Sequence, residues 1–220
     1  MALAAPGRRA WPHGLLAAVR LGSPWRHPLP VTALLALVAI LAGCTARLTP
    51  PPSPANPVPV LILDHGRHAS LVLPSPQGGS IRYSYGDWRY YARGVTGLRS
   101  GASALFWPTA SALGRRELEA PPEEAAVRRA LRVWADTVIT LEVEGARAEA
   151  LRTRLDTLFS QGREKAHLYN DMYDLDFVHH PRRYWFGHNS NQVLAGWLRE
   201  LGINVRGPTL LSSWKVEPQH

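Results

Sequence analysis

The sequence predicts an α+β domain in which antiparallel strands come first and helices follow. Short apolar runs at residues 58–63, 68–73 and 81–85 are divided by turn residues, a pattern typical of an antiparallel meander. Later segments repeat apolar residues at helical spacing, and the last of them ends near Leu201. The chain has 220 residues, enough for one domain with its own core behind an N-terminal leader.

The first 43 residues have the composition of an export signal. The apolar stretch at residues 31–43 is shorter than the roughly 20 residues that a bilayer-spanning helix needs. Four arginines and no acid precede it, and it ends in Ala42 and Gly43 before Cys44. We therefore predict a signal peptide at residues 1–43 and acylation of the Cys44 thiol, with palmitate-type chains as the membrane anchor. An N-terminal anchor with an incidental cysteine is the alternative.

Cysteine count and charge exclude several classes of site. Cys44 is the only cysteine, so its acylation leaves no thiol for a disulfide, a zinc site or a nucleophile. The net charge is +8, four charges of which belong to the leader arginines, and the basic residues form no stripe. We therefore predict no nucleic-acid partner and no cofactor.

Residues 44–57 are rich in proline, and we predict an extended tether there. A single domain is then expected over residues 58–220. Its first three strands are followed by a poorly patterned stretch at residues 90–116 and by a helix that starts near Pro121, with Val127, Leu131 and Trp134 on its apolar face.

The second half predicts one more strand and two more helices. Residues 137–144 alternate apolar and polar side chains, which favours a strand. Residues 147–161 have a helical apolar stripe that Gly162 would close. In the last helix Asn189, Ser190 and Asn191 stand where short polar side chains cap free backbone N–H groups, and Gly202 stands at its end.

The first candidate site joins His68 to Ser190. A serine at the positive end of a helix dipole can act as a nucleophile, with exposed N–H groups for an oxyanion and an imidazole as base. Asp87 is a possible third group, because it ends the strand expected beside the one that His68 opens. The alternative is a plain helix cap at Ser190 and a packed histidine at the strand end.

Two further groups of residues have a functional and a structural interpretation. Asp174, Asp176, His179 and His180 could bind a divalent ion, but their spacing fits a solvated polar loop better. An aromatic group could stack on sugars, although aromatic side chains more often fill a core. Its members are Trp88, Tyr90, Tyr91, Trp107, Tyr184, Trp185 and Phe186.

Four blocks of this sequence resemble a bacterial family, the domain of unknown function 2459, first noticed near urease gene regions. The blocks are residues 64–74 (Asp-His-Gly-Arg-His-Ala-Ser-Leu-Val-Leu-Pro), 85–87 (Tyr-Gly-Asp), 104–108 (Ala-Leu-Phe-Trp-Pro) and the final helix from Asn189. They occur in the family's order. The family is similar to permuted papain-like proteins of the NlpC type, in which the histidine strand precedes the nucleophile helix near the C-terminus.

The resemblance implies that His68 is the base, Asp87 an orienting group and position 190 the nucleophile. The family normally has cysteine at position 190, whereas this chain has serine. Because a hydroxyl has a far higher pKa than a thiol, the chemistry does not simply transfer. We expect a degenerate papain-like envelope lipoprotein that binds a cell-wall or acyl ligand on the periplasmic side. An active serine hydrolase or acyltransferase and a purely structural lipoprotein are the alternatives.

Overall fold

An antiparallel sheet of seven strands organises the part of the chain that this computed structural model describes, residues 45–95 and 107–218. These residues belong to one compact unit, Val38–His220. The signal peptide predicted at residues 1–43 and the acylation predicted at Cys44 lie outside the described residues. The predicted α+β class is confirmed, with mostly antiparallel strands and few helices.

The large sheet has the strand order β6-β2-β3-β4-β5-β8-β7. Strands β2, β3 and β4 are sequential neighbours, so the predicted meander is confirmed. The strand predicted at residues 137–144 is also confirmed, as β6 at the edge of the sheet. The strands are β2 Pro57–Asp64, β3 Ala69–Pro74, β4 Ser80–Asp87, β5 Thr109–Leu118, β6 Thr137–Glu144, β7 His167–Asn170 and β8 Leu175–Tyr184.

The described residues contain three α-helices and one π-helix. The α-helices are α1 Glu124–Ala130, α2 Gly145–Arg163 and α3 Ser190–Glu200, and the π-helix is Trp88–Ala92. Helix α1 ends before Trp134, so the prediction of Trp134 on its apolar face was wrong: the side chain is 79% exposed. Gly162 lies inside α2 and packs against Val178, where a Cβ would meet the valine side chain at 2.7 Å. Within the described ranges, no helix combines the length and the apolar character needed to cross a bilayer.

The large sheet separates two groups of packed side chains. Helices α2 and α3 cover one face, where Tyr83 and Tyr85 of β4 meet Leu151, Leu155 and other apolar residues of the helices. Alternate residues of the same strands point to the other face, because successive side chains in a strand point to opposite sides. That second face is covered by α1 and the π-helix. We call them the helical face and the opposite face.

A second, three-stranded sheet corrects the predicted tether. Its strands are β1 Ala46–Thr49, β9 Asn204–Arg206 and β10 Trp214–Val216, with β1 in the centre. Residues 44–57 were predicted to be extended and outside the core, yet Ala46 and Leu48 are completely buried. Residues 46–49 alternate buried apolar side chains with polar ones and pair with the C-terminal segment, so the body of the protein begins before the proline-rich stretch.

Candidate functional site

The predicted site residues lie at one end of the large sheet, which we call the site end. Strands β2, β4 and β8 finish there at Asp64, Asp87 and Tyr184, and β3, β5 and β6 begin there. Helix α3 starts at the same end. The Asn189 side chain accepts hydrogen bonds from the backbone N–H of Asn191 and Gln192, both at 3.0 Å. The Asn189 backbone N–H in turn donates to the Gln192 side-chain oxygen at 3.1 Å, so the predicted helix start is confirmed as a capping box.

Ser190, the predicted nucleophile, is the first residue of α3 and is 5% exposed. Its close neighbour is Tyr184, the last residue of β8. The pKa of Tyr184 is raised to about 12, mainly by burial and next by the Asp87 carboxylate, while the nearby Ser190 acts in the opposite direction. The Tyr184 phenol therefore lies close to the start of α3.

Asp87, the predicted orienting group, is buried and already has two donors. It accepts a hydrogen bond from the backbone N–H of Tyr90 at 2.8 Å and another from the Thr109 hydroxyl at 2.5 Å. The first of these makes Asp87 the N-cap of the π-helix. The carboxylate therefore supports the turn that follows β4, and no hydrogen bond links it to His68 among the described residues.

His68, the predicted base, lies in the tight turn between β2 and β3 and is 9% exposed. Its ring stacks on His65 at 4.8 Å between centroids and meets the rings of Tyr91 and Tyr173 edge-on at 5.2 and 5.8 Å. Burial, reinforced by the nearby His65 and Arg82, lowers the pKa of His68 to about 3. The imidazole is therefore neutral and enclosed by other rings at neutral pH.

The neighbours of His68 and of Ser190 belong to different packing groups. The ring partners Tyr91 and Tyr173 pack with the opposite face, whereas Tyr184 beside Ser190 packs with the core under the helical face. No hydrogen bond joins His68 to Ser190 in the described part of the chain. The structure thus brings Asp87 and Ser190 to the neighbourhood of Tyr184 and places His68 in another group.

Sequence reasoning missed a buried polar network that begins beside His68. Arg82 of β4 is 1% exposed and donates to the Ser70 hydroxyl at 3.1 Å and to the Tyr173 carbonyl at 3.0 Å. The Nε2 atom of His65 lies 2.9 Å from the Ser70 hydroxyl and 3.3 Å from Arg82. With Nδ1 of His65 donating to the Trp134 carbonyl at 2.7 Å, Nε2 is left as an acceptor for both. An arginine inside an apolar strand is the sequence signal that could have revealed this network.

The possible metal ligands are not assembled. His179 and His180 are neighbours in β8, so their rings point to opposite faces: His179 stacks on Trp88 and His180 meets Tyr85. Asp174 pairs with Arg116 at 3.3 Å, and Asp176 lies 2.7 Å from His167. In the described residues no group of three or more acidic, histidine or cysteine side chains could hold an ion.

The aromatic group divides between core and surface. Trp88 and Tyr91 are buried on the opposite face, in accord with the core interpretation. Trp107, Trp185 and Phe186 instead are 73%, 46% and 51% exposed. Sequence spacing could not separate these two sets, because all of them flank strand ends.

The site end therefore has a capped helix start, a serine close to a tyrosine, and a neutral histidine packed among other rings. No family model, no curated protein and no solved structure matches this chain.

Proposed function

We propose that this chain is a lipid-anchored protein of the bacterial cell envelope that binds an envelope ligand without turning it over. The observation that carries the proposal is that His68 and Ser190 share no hydrogen bond in the described part of the chain, and that other rings pack around the imidazole. A general base must come within hydrogen-bonding range of the proton that it removes. The imidazole is enclosed by Tyr91, Tyr173 and His65, and Tyr184 is the group beside the serine.

The relationship to permuted papain-like domains of the NlpC type is part of this proposal. What supports it is the order of elements: antiparallel strands β2, β3 and β4 come first, and a helix with a polar start follows near the C-terminus. The serine at position 190 and the phenol beside it are what we would expect of a member that kept the fold and lost the chemistry. Acylation of Cys44, supported by the sequence before it, would hold the body at the membrane.

We expect Ser190 to be unreactive. Incubation of the full chain with a fluorophosphonate should leave residue 190 unlabelled by mass spectrometry, with the Ser190→Ala variant as the matched blank. Muropeptides and acyl esters should be recovered intact after incubation with the chain. Labelling at residue 190, or hydrolysis that disappears in Ser190→Ala, would favour the serine hydrolase instead.

A thiol variant tests the same point independently of serine's weak nucleophilicity. In Ser190→Cys, the pH profile of iodoacetamide alkylation reports the pKa of the new thiol, because the thiolate is the reacting form. Adding His68→Phe should leave that profile unchanged, since no hydrogen bond joins the two side chains in the described residues. If the second substitution moves the profile to higher pH, His68 stabilises the thiolate, and the two positions form a nucleophile–base pair that contradicts the proposal.

A further inference from the structure

Four of the five exposed aromatic side chains of the described residues gather at the site end, and the fifth, Tyr169, lies in β7. Trp107, Trp134, Trp185 and Phe186 are 73%, 79%, 46% and 51% exposed, and all other described tryptophans and phenylalanines are buried or partly buried. We call these four residues the aromatic rim.

Strand pairing fixes the position of each rim residue. Trp107 lies two residues before Thr109, which pairs with Tyr184, and Trp185 and Phe186 follow Tyr184. Arg183 donates to the Pro108 carbonyl at 3.1 Å, which holds these two segments together. Trp134 lies at the β2–β6 side, where its carbonyl accepts from His65 and the Asp136 N–H bonds to Asp64. At a strand spacing of about 4.8 Å, the rim extends roughly 20 Å across the sheet end.

The N-terminus of the described body lies at this same end. The Thr45 hydroxyl is 3.0 Å from that of Ser213, and Ser212 donates to Asp64 at the end of β2 at 2.6 Å. The Leu210 carbonyl in the same segment accepts from Asn189 and Asn191 at the start of α3. Cys44 precedes Thr45 directly in the sequence, so the proposed acyl chains would leave the body at the rim.

The charge around the rim fits an anionic surface. Arg67, Arg182 and Arg183 are exposed there, and Asp136 is the exposed acid, bonded to the indole of Trp134 at 2.9 Å. Exposed tryptophan beside arginine is the composition that proteins place at the interface between lipid headgroups and acyl chains. Single exposed tryptophans are common on protein surfaces. Several of them together, at the point where the proposed lipid anchor joins the body, indicate a binding surface.

From these observations we infer that the aromatic rim rests on the anionic lipid surface, with its indole rings at the headgroup level. This inference rests on the proposed function, because acylated Cys44 supplies the anchor, and it adds a defined orientation: the site end faces the bilayer.

The test uses the full chain, produced in a bacterium and reconstituted into phosphatidylethanolamine vesicles with or without phosphatidylglycerol. Lipids brominated in the acyl chain quench tryptophans that lie at the interface. We expect quenching that is stronger with phosphatidylglycerol, and we expect the Trp107→Phe/Trp134→Phe variant to reduce the quenched signal about two-fold or more. Replacement of the buried Trp197 by Phe should leave the quenched signal unchanged.

A second pair of variants tests docking with Trp185 as the reporter. Trp107→Ser/Trp134→Ser should reduce quenching of the remaining tryptophans, whereas Leu168→Ser/Val216→Ser, at exposed apolar positions outside the rim, should not. Quenching equal in both pairs would overturn the inference, as would rim-dependent dimerisation without quenching. Mass spectrometry of Cys44 on the same samples reports acylation separately: an acylated chain without rim quenching contradicts only the orientation, and an unmodified Cys44 contradicts the lipid anchor.

Discussion

At the scale of single residues, burial decides the protonation state of the histidines at the site end. His65 and His68 are both enclosed, and burial is the largest cause that lowers their pKa values, to about 4 and about 3. Both are therefore neutral where an unperturbed histidine would be partly charged. In the neutral form the two rings can stack, and Nε2 of His65 can accept hydrogen bonds from Ser70 and Arg82. The observed packing therefore requires both imidazoles to be neutral.

Buried neutral histidines predict a loss of stability in mild acid. Unfolded His68 binds a proton near pH 6.5, whereas the folded form binds one only near pH 3. Between these values the unfolded chain carries more protons, so the free energy of unfolding falls as the pH falls below about 6.5. For His68 we expect a loss of up to about 2 kcal/mol between pH 7.5 and pH 5.

His68→Phe removes this titration and preserves a ring against Tyr91 and Tyr173. Urea denaturation at the two pH values should therefore show a smaller pH dependence in the variant than in the parent chain. His65 titrates in the same direction in both chains, so the difference between them reports mainly on His68. An identical pH dependence would mean that water reaches the His68 ring in the folded protein.

The sequence singles out His68, Asp87 and Ser190 as candidates but does not predict which side chains surround them. Whether a strand-end histidine faces the helices or the other side depends on the parity of the strand, and a shift of one residue reverses it. Tyr184 reaches Ser190 only because β8 ends beside the start of α3. Such contacts between distant segments have no local signal in the chain.

At the scale of elements, the strongest local patterns predicted the structure best. The strand β6 and the capped start of α3 were predicted correctly, because alternation and capping are encoded within a few adjacent residues. The π-helix at Trp88–Ala92 was not predicted. It depends on the Asp87 cap and on the missing side chain at Gly86, where a Cβ would meet the Tyr91 ring at 2.1 Å.

Two glycines should therefore respond in opposite ways to alanine. Gly86→Ala should destabilise the fold by about 1–3 kcal/mol, because Tyr91 cannot move without disturbing the π-helix. Gly196→Ala lies inside α3 with open space at its Cβ position, so it should stabilise by about 0.5–1 kcal/mol through helix propensity. Thermal or urea unfolding of both variants measures the difference, and equal effects would contradict the close packing at Gly86.

At the scale of the whole molecule, the three-stranded sheet joins the two ends of the described chain. Strand β1 pairs with β10 in parallel and with β9 antiparallel, so the first described residues depend on the last. Composition alone suggested a tether, because prolines dominate residues 50–57 and obscure the four-residue strand before them. The partners of β1 lie more than 150 residues away along the chain, beyond the range of any local pattern.

Leu48 and its neighbour Arg47 provide a matched test of this arrangement. Leu48 is completely buried, so Leu48→Ala should reduce the free energy of unfolding by about 2–5 kcal/mol. Arg47 is 64% exposed in a surface ion pair with Glu217, so Arg47→Ala should cost no more than about 1 kcal/mol. An unchanged free energy of unfolding in Leu48→Ala would contradict the packing of residues 46–49 and would support the tether predicted there.

The position of β1 also sets how far the protein can reach. Only Thr45 separates Cys44 from Ala46, and two residues of extended chain span about 7 Å. Acyl chains on Cys44 would thus hold the folded body within about one headgroup layer of the membrane. The linker would be too short for the body to reach the cell wall. A ligand of the protein anchored in this way would have to reach it at the membrane surface.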